Sequence, residues 1–118
     1  MEKIDAVAAL SALAQDNRLD IYRLLVQAGP EGMAAGEVAT ALAIAPNTLS
    51  FHFDRLRHAG LVSVARQGRS LIYAARYETM NNLLGYLTEN CCSGRPELCA
   101  PAAGKSAKLA RKRKETAR

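Results

Sequence analysis

The three cysteines of this 118-residue chain all lie in one short stretch, as Cys91, Cys92 and Cys99. Thiolate sulfur is a soft ligand that selects soft acceptors. Gly94 and Pro96 interrupt regular structure, so the chain can fold back and bring the third cysteine towards the vicinal pair. Trivalent arsenic forms three bonds, and the spacing therefore favours a site in which three sulfurs bind one As(III).

Other uses of these thiols stay open at this point. Antimonite should behave like arsenite, whereas methylarsenite needs only two sulfurs. Structural zinc requires four ligands, so it would need Glu97 or a residue from another chain. A redox switch that pairs Cys99 with Cys91 or Cys92 is the main competing hypothesis, and a thiol-based metal carrier is another.

An enzymatic use of the cysteines is not indicated. A Cys-x5-Arg phosphate loop would place arginine six positions after a cysteine, where the chain has Glu97, Leu98 and Lys105. No Ser-His-Asp arrangement or glycine-rich phosphate loop is recognisable either. We therefore expect no catalytic activity and no permanent cofactor.

The positive charge of the chain is concentrated at its C-terminus. The formal net charge is +5, but residues 1–100 carry nine basic and ten acidic side chains, whereas residues 101–118 carry seven basic ones and one acidic one. Nucleic-acid binding by the folded part must therefore rest on local charge. Such a cluster runs from position 55 to position 76 without an acidic residue, and its members are Arg55, Arg57, Arg66, Arg69 and Arg76.

No segment is suited to a membrane or to export. The longest apolar runs are much shorter than the roughly 20 residues that cross a bilayer, and residues 1–18 contain acidic side chains and no cleavable apolar stretch. We expect a cytoplasmic protein, in which cysteines are thiols or metal ligands rather than structural disulfides.

Apolar residues at helical spacing predict five helices, and an alternating segment after the fourth helix predicts a β-hairpin. The fourth helix starts at Pro46 and buries Leu49, Phe53 and Leu56. The hairpin turns at residues 67–69. The predicted helices span residues 3–14, 16–28 with Asp16 as N-cap, 35–43, 46–59 and 77–90, and the predicted strands span 61–66 and 70–75.

This order of elements predicts a winged helix-turn-helix, a mainly α fold with a β-hairpin wing. A helix of this size fits the DNA major groove, and a basic hairpin reaches the backbone or the minor groove. We predict double-stranded DNA as the partner. His52 is interpreted as a groove or packing residue rather than a metal ligand. The predicted contacts are Asn47, Thr48, Ser50, Phe51, His52 and Arg55 in the helix and Arg66 and Arg69 in the wing.

The segments ALAQDNRLDIYRLL and GEVATALAIAPNTLSFHFDRLRHAGLVSVARQGRSLIYA resemble the ArsR/SmtB family of metal-responsive repressors. The resemblance covers about residues 4–90. It implies a homodimer with the first and last helices at the interface, which binds operator DNA without metal and releases it on metal binding. Ala45 departs from the family, which often has Ser before the proline.

The family places sensor sites in several positions, and two of them lack their ligands here. Residues 37–42 hold no cysteine, and residues 77–83 hold no histidine. The remaining set of Cys91, Cys92 and Cys99 is similar to that of the arsenic sensors. The resemblance thus implies a repressor induced by arsenite, antimonite or methylarsenite.

Three regions are expected along the chain. Residues 1–92 would form the winged helix-turn-helix and dimerisation domain, and residues 91–99 the thiol sensor segment. Residues 100–118 have too few large apolar side chains to form a core, and we expect a disordered basic tail.

Overall fold

The computed structural model describes residues 1–98; Cys99 and the predicted basic tail lie outside the described residues. The chain divides into one unit, Met1–Leu87, and a second that begins at Thr88. The first unit holds five helices and a three-stranded antiparallel sheet, which confirms the predicted winged helix-turn-helix fold. Its elements are α1 (Lys3–Leu13), α2 (Asp16–Ala28), β1 (Met33–Ala34), α3 (Ala35–Leu42), α4 (Pro46–His58), β2 (Val62–Gln67), β3 (Ser70–Ala75) and α5 (Tyr77–Leu87).

The wing is a tight antiparallel hairpin of β2 and β3. Gln67 pairs with Ser70, so the turn consists of two residues, Gly68 and Arg69. Gly68 has a φ of +63°, a conformation that glycine adopts without steric cost and that is typical of the first position of such a turn. The predicted hairpin is therefore present, with its turn one residue shorter than the prediction.

A third strand, β1, extends the sheet in the order β1-β3-β2. Met33 pairs with Tyr73 and Ala34 pairs with Ile72. The strand β1 was not predicted, because two residues are too few to show the alternation that indicates a strand. The strand leads directly into α3, and its pairing with β3 therefore connects the helix-turn-helix to the wing.

The turn between α3 and α4 depends on backbone rather than on side-chain caps. Ala43 ends α3 in the left-handed conformation, with a φ of +54°. Ala45 precedes α4 and makes no side-chain cap, while Pro46 occupies the first turn, where its missing N–H leaves no donor unsatisfied. The α4 helix thus starts at the predicted residue.

The helices α1, α3 and α4 each end one residue before the predicted end, and the start of α2 and the end of α5 also differ from the prediction. The N-cap of α2 is Gln15, whose side chain accepts a hydrogen bond from the Arg18 backbone N–H at 2.9 Å, so Asp16 is the first helical residue instead of the cap. The last helix ends at Leu87 rather than at Asn90. Asn90 adopts a left-handed conformation with a φ of +57°, which an α-helix does not accommodate.

The core of the first unit lies between α2, α3, α4 and the sheet. Leu49, Phe53 and Leu56 of α4 are buried as predicted, and the Phe53 ring stacks on Tyr73 with centroids 3.6 Å apart. Tyr77 at the start of α5 donates a hydrogen bond to the Val26 carbonyl of α2 at 2.8 Å. The stacked rings hold α4 against the wing, and the Tyr77 hydrogen bond joins α5 to α2.

The apolar stripe of α1 divides into a buried and an exposed half. Its alanines Ala6, Ala9 and Ala12 pack into the core, whereas Val7, Leu10 and Ile4, the last of them 77% exposed, face solvent. Leu84 and Leu87 of α5 are also more than half exposed, and α5 packs beside α1. We call this set the α1/α5 apolar surface; its members are Ile4, Val7, Leu10, Leu84 and Leu87.

Candidate nucleic-acid interface

Helix α4 separates a buried side from an exposed side. The buried side anchors the helix to the core through Leu49, His52, Phe53 and Leu56. The predicted DNA contacts other than His52 are all exposed; they are Asn47, Thr48, Ser50, Phe51 and Arg55. The first turns of α4 thus present small polar side chains and one aromatic ring on a rigidly supported helix, an arrangement suited to reading base edges in a major groove.

His52 is placed differently from the prediction. Its side chain is only 6% exposed, and within residues 1–98 it is the polar residue that lies in the core. Burial, and secondly the positive charge of Arg18, lower the pKa of His52 below its ordinary value of 6.5. Of the two roles considered for His52, this placement agrees with packing and contradicts the DNA contact, because a buried ring presents little of its edge to a base.

Arg18 explains why a histidine is accommodated inside the fold. Its Nη1 lies 3.3 Å from His52 Nδ1, and its Nε donates to the carbonyl oxygen of Ala12 at 2.6 Å. Because a guanidinium can only donate, His52 Nδ1 must accept, and the neutral ring carries its proton on Nε2. One side chain at the start of α2 therefore joins the end of α1 to the middle of α4.

Arg18 was not among the predicted site residues. The two side chains are 34 positions apart in sequence, and periodicity within a helix carries no information about such a pair. Only the packing of α2 on α4 brings them together.

The charges on the outer face of α4 are arranged in local pairs. Arg57 forms an exposed ion pair with Asp54 at 3.0 Å, which offsets a carboxylate that would otherwise repel phosphate. The Arg55 guanidinium lies over the Phe51 ring, 5.2 Å from its centroid. His58 Nδ1 donates to the Asp54 carbonyl oxygen at 2.8 Å. The outer face of α4 therefore carries a net positive charge beside the first turns of the helix.

The wing exposes both predicted arginines. Arg69 occupies the second position of the hairpin turn, and Arg66 lies on β2 opposite Leu71. All residues from Ser63 to Ser70 are exposed, so the tip of the hairpin is accessible along its whole length. A positive, accessible tip is suited to phosphate or minor-groove contacts.

The second unit, which begins at Thr88, contains the vicinal cysteines. Cys91–Gly94 form a short 3-10 turn, followed by a second one at Pro96–Leu98. Cys92 and Ser93 adopt left-handed conformations, with φ values of +59° and +49°. Both Cys91 and Cys92 are half-buried thiols. The predicted helix end at these residues is thus replaced by a tightly folded turn, which the structure describes up to Leu98.

The predicted third sulfur, Cys99, lies outside the described residues. Within residues 1–98, no three His, Cys, Asp or Glu side chains are grouped in a way that could hold a metal ion. In the same part of the chain, no helix is long and apolar enough to span a bilayer.

Comparisons with known proteins agree with the fold. A sequence profile described as a helix-turn-helix domain matches residues 13–65. The chain is 36% identical over 77 residues to YceK of Bacillus subtilis, described as an uncharacterized HTH-type transcriptional regulator; the match covers 64% of this chain and 76% of that protein. These similar proteins are regulators, which agrees with the expected non-enzymatic function.

Solved structures give the same result. HlyU from Vibrio cholerae is 32% identical and superposes with a TM-score of 0.59 over 74% of this chain and 97% of that one. Mb0332 from Mycobacterium bovis, described as a homodimeric winged helix-turn-helix DNA-binding domain and a possible ArsR-family regulator, is 26% identical, with a TM-score of 0.59 over 73% and 80%. The chain therefore belongs to the family of helix-turn-helix transcriptional regulators that includes YceK.

Proposed function

We propose that this protein is a homodimeric repressor that binds an inverted-repeat operator and is released from it by trivalent arsenic. The observation that carries the DNA-binding part is the division of α4 into a buried anchor and an exposed polar face. Asn47, Thr48 and Ser50 would read bases, while Arg55 and the wing residues Arg66 and Arg69 hold phosphates or the minor groove.

Dimerisation is supported by the α1/α5 apolar surface. Five large apolar side chains exposed on two adjacent helices are costly in water. A second copy of the chain is the occupant that we propose, because it would bury the same surface on both sides of a twofold axis. Two recognition helices related in this way match a palindromic operator.

Arsenic binding is supported by the thiol segment. As(OH)3 reacts with three thiols to form three As–S bonds, and each exchange releases one water molecule as the thiol proton joins the departing hydroxide. Cys91 and Cys92 are adjacent in a tight turn, and Cys99 is the third sulfur of the proposed set. No fourth ligand is required, whereas structural zinc prefers four.

Release of DNA follows from the position of the thiols in the chain. The segment comes directly after α5, which packs beside α1 and carries part of the α1/α5 apolar surface. Three new bonds to arsenic would constrain the chain that follows α5 and alter the dimer contact. A changed dimer contact changes the spacing of the two α4 helices and lowers the affinity for an operator of fixed spacing.

A titration of the protein–operator complex tests the proposal. Fluorescence anisotropy would follow the release of labelled operator on addition of As(III), Sb(III), Zn(II), Cd(II) or peroxide to the fully reduced protein. We expect As(III) to weaken binding by about 5- to 150-fold, the usual range of allosteric coupling, and Zn(II) to have a much smaller effect. Full release by peroxide or Zn(II), with no response to As(III), would contradict the arsenic assignment.

A further inference from the structure

A shallow hollow lies between α1 and α4, on the side of α4 away from the wing. Its volume is about 530 Å³. The floor is formed by small side chains of α1 and by Ala59, and the rim carries basic groups and an aromatic ring. The lining residues are Ala8, Ser11, Ala12, Arg18, Phe51, Arg55, His58 and Ala59.

The chemistry of this lining selects an anion. Arg18, Arg55 and His58 supply the polar rim, and among residues 1–98 no carboxylate lines the hollow. His58 already donates from Nδ1 to the Asp54 carbonyl, so the cationic groups that line the hollow are the guanidinium groups of Arg18 and Arg55. Guanidinium groups bind phosphate oxygens with well-defined geometry.

Arg18 is held in place before any ligand arrives. Its bonds to the Ala12 carbonyl and to His52 fix the side chain in the wall of the hollow. An arginine that is already ordered loses little conformational freedom on binding, which distinguishes it from a flexible surface arginine. The buried His52 thus affects the surface of the protein, because it helps to orient the Arg18 guanidinium in the hollow.

We infer that the hollow is a phosphate site, which in the operator complex holds a backbone phosphate next to the major groove entered by α4. This inference rests on the proposed DNA binding. The proposed DNA contacts Phe51 and Arg55 also line the hollow, so a strand that follows the exposed face of α4 passes its rim. The protein would therefore grip DNA on both flanks of α4, with the wing on one side and Arg18 on the other.

The salt dependence of operator affinity tests this inference. Arg18→Gln removes the charge and keeps an amide that can donate to neighbouring acceptors. Each lost phosphate contact lowers the slope of log K against log salt by about 0.9, hence by about 1.8 for a dimer with two hollows. Arg23→Gln is the matched control, since Arg23 is exposed on the same helix and does not line the hollow. Arg18→Lys keeps the positive charge and should therefore have most of the wild-type salt slope.

A scan with neutral methylphosphonate linkages locates the phosphate. At one position in each half-site, the neutral linkage should weaken the wild type about tenfold, as expected for a lost charge-assisted hydrogen bond, and should leave Arg18→Gln unaffected. If Arg18→Gln has a lowered melting temperature, Ser11→Glu replaces it. This change places a carboxylate at the hollow and leaves the Arg18 hydrogen bonds intact, and it should lower the slope as strongly.

A third measurement uses inorganic phosphate without DNA, followed by the NMR signal of the Arg18 Nε–H. Saturable shifts that Arg18→Gln abolishes, together with an unchanged salt slope, would assign the site to a free anion and overturn the DNA assignment. An unchanged slope without phosphate shifts would overturn the site altogether. Failure of the wild type to bind any operator would instead refute the proposed function, and the hollow would then be judged on the phosphate signal alone.

Discussion

The guanidinium of Arg18 and the imidazole of His52 meet at 3.3 Å in a partly buried contact, and this contact links α2 to α4. The pair requires a neutral histidine, since Nδ1 must accept the hydrogen bond that Arg18 donates. Protonation would replace the hydrogen bond by two positive charges in contact, which repel each other. The position of α4 therefore depends on the protonation state of one buried ring.

The first prediction concerns stability against pH. The pKa of His52 is lowered in the folded protein from its ordinary 6.5, so the unfolded chain takes up this proton first as the pH falls. The contribution of His52 to stability is complete above about pH 6.5 and is lost progressively between that value and the lower folded pKa. Urea unfolding at pH 7.5 and 5.5 should show less of this loss in His52→Gln, which keeps an acceptor but does not titrate.

The control for this prediction is His58→Gln, which removes the exposed histidine of the same helix. This variant should keep the decline in stability that belongs to His52. If His52→Gln and the wild type lose stability equally between the two pH values, the buried contact with Arg18 is not what makes the fold sensitive to acid.

The recognition helix shows how far sequence reasoning reaches in this protein. Leu49, Phe53 and Leu56 were predicted to be buried from their spacing, and they are. His52 lies in the same buried stripe, one position from Phe53; packing was one of its two predicted roles, but its partner Arg18 could not be predicted because it comes from another helix. Helical phase can be read from the sequence, whereas a buried polar contact depends on tertiary packing.

The α1 helix marks a second limit. Its apolar periodicity was visible, yet the sequence did not reveal that the alanines pack inward while Ile4 and Val7 face solvent. A hydrophobic stripe indicates that one face of a helix is buried, but it does not indicate whether the same chain or another chain buries it. The thiol segment is a third limit, since successive left-handed residues such as Cys92 and Ser93 leave no pattern in sequence.

The second prediction concerns the α1/α5 apolar surface. Val7→Glu and Leu84→Glu each place a charge on a surface that we propose is buried between two copies of the chain, where an unpaired charge is strongly unfavourable. Sedimentation should show monomers for the double variant, and operator affinity should fall because two linked half-sites no longer bind together. Leu19→Glu, on an exposed position of α2, should remain dimeric. A double variant that stays dimeric would place the interface elsewhere.

The third prediction concerns the junction between β1 and the wing. Gly32 has a φ of +77°, and a Cβ at this position would clash with the backbone oxygen of Tyr73. Gly32→Ala should therefore destabilise the fold by about 1–3 kcal/mol. Gly36→Ala is the matched control, because its Cβ would enter open space in α3; it should be neutral or stabilising by up to about 1 kcal/mol. Equal denaturation midpoints for the two variants would contradict the close approach of β1 to β3.

The fourth prediction separates the wing from α4. Arg69→Ala should weaken binding to all duplexes alike and lower the salt slope by about 0.9 per contact, because phosphate contacts carry no sequence information. Arg76→Ala is the control, because Arg76 lies beyond the end of the hairpin opposite its tip. This variant should leave the salt slope unchanged. Thr48→Ala should instead reduce discrimination between operator and random DNA, measured as a ratio of dissociation constants. An Arg69→Ala protein with wild-type slope and affinity would remove the wing from the interface.

The fifth prediction concerns the number of sulfurs. Arsenite requires three thiols, so Cys91→Ser, Cys92→Ser and Cys99→Ser should each abolish release of the operator by arsenite while leaving operator affinity in its absence unchanged. Methylarsenite has one arsenic valence occupied by carbon and requires only two sulfurs. Cys99→Ser should therefore still respond to methylarsenite, through the adjacent pair, whereas the double variant Cys91→Ser/Cys92→Ser should respond to neither ligand.

The control for the cysteine variants is Ser93→Gly, within the same turn. Ser93 has a φ of +49°, which glycine adopts readily, so this change preserves the backbone and removes no sulfur; it should keep the full arsenite response. Operator release would be followed by anisotropy in reducing buffer, so that disulfide formation does not compete with As–S bonds. Arsenite release that survives in the double variant would show that the sensor is not the thiol segment, because one remaining cysteine cannot supply three sulfurs from a single chain.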